Sequence, residues 1–349
     1  MSRRTPGVLA ALLLAAPVLG AQDEITLKVG DKAPPLTVAR WVKGSPVPAF
    51  VGGTAYVIEF WATWCGPCIS GMPHLSELQR EYEGKLTIIG VTSVDSRRKK
   101  PNTLEAVEKM VADKGDVMGY TVAWDTERKT NEAYMRAAGQ NGIPCSFLVD
   151  KTGTIAYIGH PYWLDLPLAR VIEGTWDPVK GMAELEQVQD ELMDIEFLAK
   201  IDTKKALAAA NRFAREHKAV AHLVADYRFD LYLRDGQYDK GFAVGAKLVE
   251  KAIHGKDARK LNQIAWKIVA PKAPWEERDL DLALRAAEKA NAFTKGESAD
   301  MLDTLARVHY LLGHIEQAID LQRKAVELAA GPIKEGLQKI LASYEKDFE

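Results

Sequence analysis

Two cysteines, Cys65 and Cys68, carry the strongest chemical signal in the sequence. They flank Gly66 and Pro67 at the point where a predicted strand ends and a predicted helix begins. A spacing of three places both sulfurs on one face of the first helical turn, where they can form a disulfide. The free backbone N–H groups and the positive helix end lower a thiol pKa from about 8.5 to roughly 3.5–7.5. We expect Cys65 to attack a disulfide and the less accessible, inward-facing Cys68 to resolve the mixed disulfide.

The other sequence features limit the classes of function. The chain has 349 residues, which suggests about two domains, and its only cysteines are Cys65, Cys68 and Cys145, too few for a disulfide scaffold. Its 46 basic and 48 acidic residues nearly cancel, so the composition does not favour nucleic acid as a partner.

The first residues have the three-part pattern of a secretory signal peptide. Arg3 and Arg4 precede an apolar run at residues 8–19, and small residues follow at Gly20 and Ala21. We assign residues 1–21 to the signal and expect an exported protein, periplasmic or extracytoplasmic. An uncleaved signal that tethers the protein to the membrane is the alternative.

Strand and helix patterns alternate through residues 22–177, which we assign to one domain. Strands are predicted at 56–61, 86–91, 121–124, 145–149 and 154–158, and helices at 66–82, 102–114, 126–138 and 167–173. Asn102 is the expected N-cap of the second helix, with Glu105 three residues later. This order predicts an α/β fold with a mixed sheet and helices on both faces.

The remaining residues, 178–349, have helical periodicity and no strand pattern. An internal repeat is visible: Ala306 precedes Ala318 and Ala325 as Ala265 precedes Ala283 and Ala290, with about six extra residues around 271–276 in the upstream copy. This region resembles tetratricopeptide repeats; a generic helical bundle is the alternative. Its histidines have no metal-ligand spacing and are assigned to the surface or to packing. They are His217, His222, His254, His309 and His314.

The segment around the two cysteines resembles the active site of the thioredoxin superfamily. With its signal peptide, the domain looks most like the TlpA/ResA-type extracytoplasmic thiol–disulfide oxidoreductases, over residues 28–177. The resemblance implies a thioredoxin-like fold and a redox-active Cys65–Cys68 disulfide, with no other cofactor. It also implies supporting roles for Gly66, Pro67 and the helix-kinking Pro73, a cis-proline at Pro144, and client contacts from Trp64, Ile143 and Pro144.

Glu59 stands six residues before Cys65, where this family carries a buried acidic residue. Its apolar neighbours Ile58 and Phe60 favour burial, which raises the pKa of a carboxyl group. Glu59 could then take the Cys68 proton during resolution. The alternative is a solvated glutamate at a strand edge.

Cys145 departs from the family pattern, which more often has Thr or Ser after the cis-proline. It is either an inert packing residue or an extra thiol that traps an off-pathway disulfide with Cys65. No metal site is expected from the three cysteines, since no fourth ligand is evident, although His74 stands in the same predicted helix as Cys68.

These features predict a thiol–disulfide reductase or isomerase that acts on exported proteins. A reductase would need a membrane electron donor, and the helical repeats would bring a protein partner. One alternative is a peroxiredoxin-like thiol peroxidase, but no Pro-x-x-x-Thr-x-x-Cys stretch contains Cys65. The other is an assembly module that works mainly through its helical repeats.

Overall fold

The computed structural model describes residues 25–95, 101–125 and 127–348. The predicted signal peptide lies outside the described residues, as does Thr126, the predicted start of the third helix. No helix in the described ranges is long and apolar enough to cross a membrane.

A six-stranded mixed sheet forms the centre of the first half of the chain. Its spatial order is β1-β4-β3-β2-β5-β6, with β2 parallel to β3 and antiparallel to β5. The strands are β1 (Arg40–Lys43), β2 (Ala55–Phe60), β3 (Leu86–Ser93), β4 (Thr121–Asp125), β5 (Cys145–Val149) and β6 (Ile155–Gly159). The predicted mixed sheet is therefore confirmed. The sequence analysis missed β1, a four-residue edge strand too short to have a clear pattern.

Helices cover both faces of this sheet. They are α1 (Gly66–Glu81), α2 (Leu104–Lys114), the short α3 (Lys129–Asn131) with a π-helical turn at Glu132–Arg136, and α4 (Asp165–Glu173). One face packs against α1, α2 and α4. The other face packs against the π-helical turn and the chain before β1.

Helix α1 begins at the two cysteines. Cys65 is the N-cap residue with an extended backbone, and Pro67 stands in the first turn, where a missing N–H breaks no helical hydrogen bond. Pro73 lies inside the helix, where its missing N–H removes one i to i−4 hydrogen bond, and the kink there stays a prediction.

The predicted cap of α2 is wrong by one residue. Thr103 is the N-cap, and its side chain accepts a hydrogen bond from the Ala106 N–H. Asn102 is instead completely buried and forms tertiary hydrogen bonds. Thr and Asn are both good caps, so sequence preference alone did not separate them.

The described residues of the second half of the chain form helices joined by turns and short loops. Its helices are α5 (Pro178–Ile201), α6 (Thr203–Glu216), α7 (Ala225–Arg234), α8 (Tyr238–His254), α9 (Ala258–Val269), α10 (Leu280–Phe293), α11 (Ala299–Leu311), α12 (Ile315–Leu328) and α13 (Gly331–Phe348). Glycines let α8 approach α7 closely: a Cβ on Gly241 would lie 2.9 Å from Leu233, and one on Gly245 would lie 2.9 Å from Phe229. Left-handed glycines end α7 and α11, at Gly236 and Gly313. The assignment to tetratricopeptide repeats stays a prediction.

One apolar core extends across both halves. A single cluster contains Val57 of β2 and Leu75 of α1 together with Leu185, Val188 and Phe213 of α5 and α6. Polar contacts add to it, since the Lys251 ammonium lies 3.0 Å from the Glu77 carboxylate. The predicted boundary at 177/178 stays a prediction, and Asp177 caps α5 there.

We expect Gly90→Ala to destabilise the fold. Gly90 lies on β3 beside Glu59, and a Cβ there would come within 3.1 Å of both Trp61 Nε1 and Tyr120 Cε2. Overpacking of this kind costs about 1–3 kcal/mol. Denaturant unfolding would measure the loss, with Gly52→Ala as the control, since a Cβ at Gly52 has nothing within 4 Å. Equal stability of the two variants would contradict the packing described for Trp61 and Tyr120.

Candidate active site

Cys65 and Cys68 form a disulfide at the N-terminus of α1. Their Cα atoms are 5.3 Å apart, and the Cys68 backbone N–H donates a hydrogen bond to Cys65 Sγ at 3.2 Å. After reduction the same N–H can stabilise a Cys65 thiolate. Exposure does not distinguish the two residues as we expected, because Cys65 is 3% and Cys68 5% exposed in this oxidised form. The backbone hydrogen bond, rather than accessibility, singles out Cys65.

Glu59 lies on the sheet face that carries α1. Its neighbours Val57 and Trp61 belong to the same apolar cluster as the two cysteines, and side chains alternate along a strand. Glu59 therefore faces the layer that contains Cys65 and Cys68. It is 2% exposed, so the solvated alternative is wrong.

Burial dominates the acid–base properties of Glu59. Desolvation raises its pKa from 4.5 to about 8, although a hydrogen bond from the Ser146 hydroxyl partly opposes the shift. A carboxyl group with this pKa exchanges a proton near neutral pH, as a general base or acid must. Proton transfer with Cys68 stays a prediction.

Ser146 is a site residue that the sequence analysis missed. It stands directly opposite Glu59 in the antiparallel β2–β5 pair and is completely buried. Its position two residues after Pro144 was visible in the sequence, but the register that pairs it with Glu59 was not.

Trp64 and Ile143, which directly precede Cys65 and Pro144 in the chain, line one groove. The Ile143–Pro144 peptide bond is cis, as the resemblance implies. The groove has a volume of about 850 Å³, and its lining includes Trp64, Ala62, Gly142 and Ile143. Half-buried Ile143 and Trp64 thus lie on one concave surface. Their contact with a client stays a prediction.

Asn102 connects the loop before Cys65 to the sheet. Its side-chain oxygen accepts hydrogen bonds from the Thr63 N–H at 2.9 Å and from the Thr63 hydroxyl at 2.8 Å. Its amide nitrogen donates to Thr92 Oγ1 and to the Ser93 carbonyl. All side-chain hydrogen-bonding groups of Asn102 are thus engaged in holding this loop.

Cys145 packs away from the active pair. It stands opposite Phe60 in the β2–β5 pair and belongs to the apolar cluster on the other face of the sheet. Burial raises the pKa of its thiol to about 12. This arrangement favours the packing role, and an off-pathway disulfide between Cys145 and Cys65 stays a prediction.

Two histidines belong to clusters that sequence spacing did not show. His222 lies with His74 and Asp165, and His217 lies with Glu191 and Glu216. Each cluster joins residues from separate elements, so no local spacing could have indicated either one.

Comparison with known proteins agrees with this architecture. Residues 29–158 match the family model described as the AhpC/TSA family. This match covers the part of the chain that carries Cys65 and Cys68, whose mixed sheet and helices form a thioredoxin-like fold.

Proteins similar in sequence to this chain include thiol–disulfide oxidoreductases. Protein FixW of Rhizobium leguminosarum is 27% identical over 152 residues, 43% of this chain and 69% of FixW. Thiol-disulfide oxidoreductase ResA of Bacillus anthracis is 28% identical over 134 residues, 38% of this chain and 70% of ResA. A solved thiol-disulfide isomerase from Corynebacterium glutamicum is 25% identical, with a TM-score of 0.34, over 40% of this chain and 96% of the isomerase.

We expect Glu59→Gln to stabilise the protein increasingly as the pH rises. The raised pKa means that folded Glu59 holds its proton more tightly than unfolded Glu59. Its contribution to stability is complete below pH 4.5 and is lost as the pH rises to about 8. The glutamine variant has no such loss. Its free energy of unfolding should therefore exceed that of the wild type above this pH range, by at most roughly 5 kcal/mol.

Unfolding measured at several pH values tests this expectation. The difference between variant and wild type should grow from pH 4.5 to about 8 and then level off. The exposed Glu83→Gln serves as a control and should show no such trend. A constant difference for Glu59→Gln would contradict titration of Glu59 in this interval.

We expect Asn102→Ala to loosen the loop that precedes Cys65. The substitution leaves the Thr63 N–H and the Ser93 carbonyl without their partner and should cost about 1–3 kcal/mol. Hydrogen exchange at the Thr63 amide should accelerate at least about tenfold. Thr103→Ala removes only the α2 cap and should leave that amide protected. Equal acceleration of exchange in both variants would refute the conclusion that Asn102 holds the Thr63 loop.

Proposed function

We propose that the protein is a thiol–disulfide oxidoreductase that reduces disulfides of exported proteins through Cys65 and Cys68. The observation that carries the proposal is the Cys65–Cys68 disulfide at the start of α1, with the Cys68 N–H directed at Cys65 Sγ. Similarity to ResA supports the reaction class. Gly66 and Pro67 between the cysteines resemble thioredoxin, which is a reductant.

The reaction begins with the reduced protein. The Cys65 thiolate attacks one sulfur of the client disulfide, whose S–S bond breaks, and the released client thiolate takes a proton from solvent. A mixed disulfide now joins Cys65 to the client. The groove lined by Trp64 and Ile143 is where we place the client segment next to this bond.

The second step releases the client. The Glu59 carboxylate accepts the Cys68 proton, directly or through a water, and the Cys68 thiolate attacks Cys65 Sγ. The mixed disulfide breaks, the second client sulfur leaves as a thiolate and is protonated, and the Cys65–Cys68 disulfide re-forms. Two electrons have passed to the client, and the raised pKa of Glu59 lets it return its proton near neutral pH.

Thiol trapping and a redox titration test this function. We expect Cys65→Ser to abolish reduction of a model protein disulfide and Cys68→Ser to accumulate the mixed disulfide. Cys145→Ser is the matched control and should keep full activity, since its thiol is buried on the opposite face. Activity that survives Cys65→Ser would overturn the assignment of the nucleophile.

The reduction potential of the pair decides the direction of electron flow. A value near roughly −270 mV fits a reductase, whereas roughly −120 to −180 mV fits an oxidase or isomerase and excludes the reductase proposal. Rapid turnover of hydrogen peroxide, with little reduction of protein disulfides, would favour the peroxidase alternative.

Export and partner binding complete the proposal. The N-terminal sequence pattern supports export, which would require a membrane electron donor to keep a reductase reduced. The helical half is proposed to bind a protein partner. Deleting it is a poor test, because Gly181 packs against Trp176 and the apolar core crosses the boundary. Charge substitutions on exposed residues of α12 and α13, followed by client turnover in cells, test it without opening that core.

A further inference from the structure

Three potential metal ligands meet where α1 contacts the helical half. His74 lies on α1, Asp165 is the first residue of α4, and His222 lies in the 3-10 turn Lys218–Val224. His74 Nε2 is 2.9 Å from Asp165 Oδ2, and His222 Nε2 is 3.6 Å from Asp165 Oδ1. The ligand atoms all lie within 4.8 Å of one another.

The types of ligand atom and the distances between them suit a metal ion intermediate between hard and soft, such as Zn²⁺. Two imidazole nitrogens and one carboxylate are a common protein ligand set for Zn²⁺, with bonds of about 2.0–2.2 Å. Tetrahedral ligands at this radius lie about 3.4 Å apart. The observed separations bracket that value, so small side-chain rotations bring the three donors to it.

The surroundings orient the ligands. His74 Nδ1 lies 3.8 Å from Glu77 Oε2, and the Lys251 ammonium lies 3.0 Å from the same carboxylate oxygen. Metal-binding histidines usually donate their second ring N–H to a carboxylate, and a small side-chain rotation would bring Glu77 within that distance of His74 Nδ1. Asp165 has only 8% of its side chain exposed, so its carboxylate is shielded from solvent.

The cluster of His74, Asp165 and His222 is open to solvent on one side. His74 and His222 line a cleft of about 880 Å³ between α1 and α8, together with Glu77 and Lys251. A water or an external ligand can therefore reach a fourth coordination position from this cleft.

We propose that His74, Asp165 and His222 bind a divalent cation that prefers imidazole ligands, with Zn²⁺ as the representative ion and a fourth position open to the cleft. The cation takes the place of any proton on the two Nε2 atoms, so binding releases protons to solvent. It connects the helix that begins at Cys65 to a residue of the helical half. The site needs neither active-site cysteine and is independent of the proposed thiol chemistry.

Titration of the oxidised full-length protein with Zn²⁺ tests the proposal. In this form Cys65 and Cys68 are joined in the disulfide and cannot compete as thiolates. Calorimetry should give one equivalent of tightly bound Zn²⁺. Co²⁺ in place of Zn²⁺ should give a tetrahedral d–d spectrum without a thiolate charge-transfer band.

Matched variants identify the ligands. His222→Gln and Asp165→Asn should each weaken Zn²⁺ binding at least tenfold, and Zn²⁺ should raise the Tm of the wild type but not that of His222→Gln. Two controls should bind like the wild type: His217→Gln, from the second cluster, and His254→Gln, an exposed histidine at the end of α8. Circular dichroism of each variant verifies folding.

Three results would overturn the proposal. The first is that the wild type binds no Zn²⁺ even when the Zn²⁺ concentration is about 100 times the protein concentration in the calorimeter. The second is loss of binding in His217→Gln with His222→Gln unaffected, which would move the site to the second cluster. The third is a Co²⁺ spectrum with thiolate charge transfer, which would assign the cation to cysteine.

Discussion

The register between β2 and β5 is the constraint on which the rest of the candidate site depends. It places Ser146 opposite Glu59 and Cys145 opposite Phe60. Since side chains alternate across a strand, this pairing sends Glu59 and Ser146 to the face with α1 and sends Cys145 to the other. A slip of one residue would exchange these faces, removing the buried carboxyl group from the active layer and replacing it with apolar side chains. The acid–base character of the site therefore follows from strand pairing as much as from residue type.

Much of the sheet and of the active-site helix could be predicted from sequence. The apolar strand before Cys65, the helix after it and the hairpin β5–β6 each have strong local signals, and all three are present at nearly the predicted positions. The position of Pro144 was likewise marked by its place before a strand, and its peptide bond is cis. Local patterns succeed here because strand alternation and helix starts are determined by residues close in sequence.

The unpredicted parts arise from contacts between distant residues. Asn102 looked like a helix cap, but its side chain binds the loop at Thr63, thirty-nine residues earlier in the chain. Ser146 and Glu59 meet across eighty-seven residues. His222 meets Asp165 only because the helical half folds back on α4. No periodicity or motif encodes such pairs, since they depend on how whole elements dock.

The shared core has a consequence for how the two halves respond to each other. Buried residues of the sheet layer and of α5 and α6 form one continuous cluster, and Gly181 is packed under the Trp176 ring. An apolar interface of this kind leaves no hinge about which a separate module could swing. Helices α5 and α6 therefore share one packed core with the layer that contains α1, and a change in their packing reaches α1 through these contacts. Truncation of a large buried side chain such as Phe213 would then be felt at Cys65 as a change in the flexibility of the helix it caps.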